Sequence, residues 1–185
     1  ILTNNSTISI QSLRNKQIYL DTNVIYRALG INGSSRESLT RTFLQKFNEV
    51  GEKLYISKHT ETEFKDSIKF HIGNIEKFNT PRVSSKVYLE TSVNEEIYNY
   101  YHKWRTNKAN SSTSLFLAHI YNLYDRFKVE YKITVENICP YNADGEETVL
   151  QLQQMSSQIL SKKAEVDITT YEHSAYIDAQ NILWI

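Results

Sequence analysis

The chain has 185 residues, and its 21 basic and 21 acidic side chains cancel, so net charge neither proposes nor excludes a polyanionic partner. That length fits one domain, and 40% apolar with 23% charged residues is the balance of an ordinary globular protein. One cysteine, Cys139, excludes a disulfide framework and a cysteine-rich zinc site and points to a reducing, cytoplasmic setting, while no apolar run approaches the roughly 20 residues that a bilayer requires.

"KQIYLD" (16–21) reads as a short buried strand, and "NVIYRAL" as a brief helical turn closed by Gly30 and the loop "GINGSS". Ser34 and Glu37 have the spacing of a capping box, with Leu39, Phe43, Phe47 and Val50 near one face of the helix that follows and Gly51 ending it. "KLYIS" (53–57) is a second strand, followed by the helix "TETEFKDSIKFHIGNIEKF". Strand, helix, strand, helix is the order of an α/β domain with a parallel sheet. From there to about residue 164 the sequence reads almost wholly as helix. Residues 86–108 and 112–128 carry helical spacing, "SSTS" (111–114) supplies a break and a cap, and "YKITVENICPYNADG" is irregular or briefly extended. Residues 145–163 and 165–185 read as two more helices. The leading "ILTNNSTIS" is too polar for a signal peptide, and a chain that begins without Met and stops inside "NILWI" reads as part of a longer protein.

Three carboxylates stand out. Asp21 closes the first strand, the place where open α/β sheets bind ligands, although as a single feature it reads first as the cap of the next helix. Glu63 follows the second strand, bordering the apolar face of Phe64, Ile68, Ile72 and Ile75, while Glu61 points to a different side. Thr60 and Glu63 also have capping-box spacing, which is the structural alternative for Glu63. Asp167 begins a stripe with Tyr171, Ser174 and Asp178 on one face of the last helix, and there too a solvated polar face is the plainer reading. Separated carboxylates suit Mg²⁺ or Mn²⁺, which take oxygen ligands and bridge to phosphate oxygens.

"IYLDTNVIYRAL", "LYISKHTETEFKDSI" and "KKAEVDI" together resemble the PIN domain family of metal-dependent nucleases. The resemblance implies a three-layer α/β/α fold around a parallel sheet and hydrolysis of RNA, single-stranded above all. It also implies a Mg²⁺ or Mn²⁺ site made by Asp21, Glu63 and Asp167, with Asn23 in support. Residues 78–160 are not covered and would be a helical elaboration within one domain (1–185), closer to larger PIN-like proteins of bacteria. The family's later strand with a fourth acid has no counterpart before Ile185, and Asp178 would be the substitute. Many such proteins dimerise, so a homo-oligomer is a further expectation.

Between Ile97 and Tyr124 there is no acidic residue, and Lys103, Arg105 and Lys108 stand beside Tyr98, Tyr101 and Trp104. Such a mixture can meet phosphates and stack bases, but an amphipathic helix with its aromatics in the core is the simpler account of Trp104 and Tyr101. His59, His71, His119 and His173 show no zinc spacing. Two other functions remain beside the nuclease: a catalytically silent PIN-like module that binds RNA or a protein, and a phosphatase of the haloacid dehalogenase type. The second would require an acid where Asn23 stands.

Overall fold

Ile18 and Tyr19 form β1 (Ile18–Tyr19), shorter than the sequence run suggests. β1 pairs in parallel with β2 (Leu54–Ser57), which pairs in parallel with β3 (Thr134–Glu136), giving the order β1-β2-β3. The computed structural model describes residues 17–77, 96–106, 108–163 and 168–185. The helices are α1 (Thr22–Ala28), α2 (Ser34–Glu49), α3 (Lys58–Lys77), α4 (Glu96–Arg105), α5 (Thr113–Glu130), α6 (Glu146–Lys163) and α7 (Ile168–Trp184). The described residues thus make a predominantly helical α/β structure around a small parallel sheet, and none of their helices is long and apolar enough to cross a membrane.

Parallel pairing on both sides buries the central strand β2, while β1 and β3 are half-buried or exposed. Leu20, Leu54 and Ile56 are at most 4% exposed and join Phe64 and Ile68 of α3 and Phe116, Ile120, Tyr124 and Phe127 of α5 in one core. All four residues predicted for the buried face of α3 are buried. Each removes apolar surface worth roughly 1.5–3 kcal/mol from water. Ser112 caps α5 as the "SSTS" break suggests, accepting from the Leu115 N–H at 3.3 Å. The expected helical elaboration is therefore only partly that. Its residues supply β3 and α5, which complete the sheet and the core; 78–95 lie outside the described residues.

α2 departs from expectation. Its first turn is preceded by Gly33 at φ 94° with no side-chain cap, and Glu37 pairs with Arg41 at 3.1 Å instead of closing a capping box. Leu39 and Phe43 are 73% and 52% exposed, whereas Leu44 and Phe47 are buried. Arg41 fixes that rotation. Its guanidinium donates to the Ala28 carbonyl at 3.1 Å and to both oxygens of Glu130 at 3.0 Å, tying α2 to α1 and α5.

At the far end of the chain, α6 and α7 pack on one another and α7 also packs on α3. Glu136 of β3 accepts from the Tyr19 hydroxyl of β1 at 2.7 Å and from the Trp184 indole N–H of α7 at 3.0 Å.

Candidate metal centre

In the parallel register, Ile18 aligns with Leu54 and Tyr19 with Tyr55, so all strands point their carboxyl ends the same way. The first residue after the Leu20 backbone bond to Tyr55 is Asp21. It takes the cap position of α1, and its Oδ2 accepts from the Asn23 backbone N–H at 3.4 Å and from Asn23 Nδ2 at 3.0 Å. The backbone contact is at the outer limit of a hydrogen bond, so Asn23 holds the carboxylate chiefly through its side chain. Asp21 is therefore a weak cap and an exposed carboxylate at a strand end.

Glu63 is not part of a capping box with Thr60. α3 begins at Lys58, and Ser57 performs the capping, its hydroxyl accepting from the Thr60 N–H at 3.1 Å. Glu63 consequently lies in the second turn of α3, where its carboxylate accepts a short hydrogen bond from the Thr22 hydroxyl of α1. Burial raises its pKa above the ordinary carboxylate value. The Thr22 bond opposes that rise, the charges of Asp21 and Asp178 add to it, and His173 opposes it. The same carboxyl thus feels acids from the strand end and from α7. Asp178, predicted only as a substitute, is the acid of α7 whose charge reaches Glu63; Asp167 lies outside the described residues.

Glu61 behaves in the opposite way. It meets Lys65 at 3.0 Å and Lys128 at 3.6 Å and accepts from the Tyr124 hydroxyl at 3.2 Å. Burial pushes its pKa up, but the lysines and this hydrogen bond prevail and hold it below the ordinary value.

Asp21 and Asp178 also line a cavity of about 390 Å³ between the strand ends and the α6–α7 pair. Ser57, Thr60 and Asn181 lie at the same cavity. Asn181 Oδ1 accepts from the Ser57 hydroxyl at 2.7 Å and the Thr60 hydroxyl at 3.2 Å. Sequence reasoning missed Ser57 and Asn181 and gave Thr60 the wrong task. The available signals were a hydroxyl at the end of a buried apolar run and an Asn three residues beyond Asp178, hence on its face of the helix.

The donors suit a hard cation: carboxylates from Asp21, Glu63 and Asp178, with no soft ligand among them. Among the described residues, however, no group of three or more His, Cys, Asp or Glu is gathered closely enough to hold a metal ion. The fit is therefore in chemistry and direction, short of a closed coordination set.

The basic island divides. Tyr101 is buried and Trp104 packs against the core, as the simpler account expects. Arg105 is only 8% exposed with its guanidinium 5.1 Å from the Tyr101 ring centre, so its burial removes it as a phosphate contact. Lys103 and Lys108 are exposed, and the Lys108 amine lies 5.0 Å from the Trp104 ring centre. No protein-family model, curated protein or solved structure matches the chain.

Proposed function

We propose that the protein is a metal-dependent endoribonuclease of PIN type, acting on single-stranded RNA in the cytoplasm through a three-layer PIN-like fold. The observation that carries this reading is the convergence of charge on Glu63. Burial first, and then the charges of Asp21 from the end of β1 and Asp178 from α7, raise its pKa. Like charges directed at one carboxyl are unfavourable unless a cation joins them. Asp21, Glu63 and Asp178 would hold Mg²⁺ or Mn²⁺, with Asp167 the ligand that the family resemblance adds. When bound, the cation would lower the pKa of a water and neutralise charge on the phosphodiester. The chain's own residues have definite tasks. Asn23 orients Asp21, Thr22 orients Glu63, and Asn181 fastens α7 to the β2–α3 corner so that Asp178 faces the strand ends.

Changing Asp21 to Asn keeps the size and cap of the side chain and removes its charge. Mn²⁺-dependent cleavage of an unstructured RNA should fall by about 10²–10³-fold, a loss on the scale of a missing electrostatic stabiliser, while the thermal melt stays nearly unchanged. Undiminished cleavage would remove Asp21 from the site. A silent module that binds RNA or a protein is the second reading, favoured by the open coordination set among the described residues. It predicts that neither Mg²⁺ nor Mn²⁺ raises the melting temperature of the unaltered protein.

A further inference from the structure

The cavity beside Asp21 and Asp178 contains a polar group that cation chemistry leaves unused. A carbonyl oxygen has two lone pairs, and those of Asn181 Oδ1 are taken by the hydroxyls of Ser57 and Thr60. Those bonds fix the plane of the carboxamide. Its two Nδ2 hydrogens are then the capacity it offers at the cavity it lines. Leu20, Ile159 and Ile182 make an apolar wall there, together with Tyr19, whose ring is steadied by its bond to Glu136. The volume of about 390 Å³ is on the scale of small-ligand sites.

Each feature restricts the occupant. Two carboxylates at the edge repel a bare anion, the apolar wall favours a flat uncharged group, and a fixed pair of donors requires an acceptor. A nucleobase with a ring carbonyl meets all three conditions, and single-stranded RNA presents its bases unstacked for such contacts. We propose that the cavity is a subsite for the base next to the cleaved phosphodiester, with Asn181 donating to its carbonyl. Uracil, cytosine and guanine offer a carbonyl oxygen to those donors, and adenine a ring nitrogen. The inference rests on the nuclease reading for its place in the reaction, but the recognition needs neither a cation nor cleavage.

The test titrates metal-free protein with uridine and with adenosine while following the side-chain amide resonances of Asn181 by ¹⁵N NMR. Either nucleoside should shift them, since a carbonyl oxygen or a ring nitrogen can accept. Asn181→Asp retains the acceptor for Ser57 and Thr60 but loses both donors, and should weaken uridine about tenfold. Ile182 is 55% exposed, so Ile182→Ala should fold normally and weaken both nucleosides alike by a few-fold. Unmoved Asn181 resonances or an undiminished Asn181→Asp variant would overturn the assignment. Cleavage without nucleoside binding sinks the subsite alone. Nucleoside binding that Asn181→Asp weakens, without cleavage or metal response, supports the subsite and sinks the nuclease.

Discussion

Glu61 and Glu63 are two residues apart on α3, yet one belongs to a structural region and the other to the candidate site. Glu61 turns toward α5, where two lysines and a tyrosine hydroxyl compensate its charge. Glu63 turns toward α1 and α7, where burial and then the charges of Asp21 and Asp178 oppose its ionisation. The contrast shows that a helix can separate, within a single turn, a carboxylate whose charge is compensated from one whose charge its surroundings oppose. Sequence type and spacing are nearly the same; the facing element makes the difference.

The sharpest way to break this comparison is to neutralise each acid in turn. Glu63→Gln should reduce Mn²⁺-dependent RNA cleavage by about 10²–10³-fold, whereas Glu61→Gln should leave it within about twofold. Equal losses would mean that both acids act through the fold. Stability should rank them in the reverse order. Glu61→Ala leaves the Tyr124 hydroxyl without its acceptor, while Lys128 keeps its pair with Asp125 at 3.0 Å, and should cost about 1–3 kcal/mol in urea unfolding, whereas Glu63→Ala should cost less without metal.

The smallest effect is in the pH dependence, and its sign differs between the two. Glu61 has a lowered folded-state pKa, so its stabilisation is present above the unfolded value and is lost as pH falls through the folded one. Glu63 has a raised pKa. Its contribution is favourable at low pH and is lost as pH rises from the unfolded value through the raised one. Replacing each by Gln should therefore change the pH–stability curve of the metal-free protein in opposite directions across the carboxylate range. Curves displaced in the same direction would contradict the two environments.

Much of the sheet and α3 was legible because short-range patterns decide them. β-branched and aromatic runs make β1 and β2, and the 3.6-residue period of Phe64, Ile68, Ile72 and Ile75 has one solution. α2 was not legible in its rotation. Leu39, Phe43 and Phe47 share one stripe, of which Phe47 is buried beside Leu44 of the next while Leu39 and Phe43 face outward, and Arg41 reaches Glu130, 89 residues away. The candidate site followed the same rule. Asp21 and Glu63 could be found from the strand ends that precede them. The part played by Asn181 could not, because it consists of two hydroxyls brought from 121 and 124 residues earlier in the chain.

Glu136 has a consequence for the cooperativity of the molecule. One oxygen of its carboxylate receives both a phenol from β1 and an indole from the last turn of α7, although β2 separates β1 from β3 in the sheet. The terminal turn of α7, which would ordinarily fray with little free-energy cost, can open only by giving up a bond shared with the sheet. The helix that carries Asp178 and Asn181 is thereby made part of the same opening unit as the strands whose ends they face.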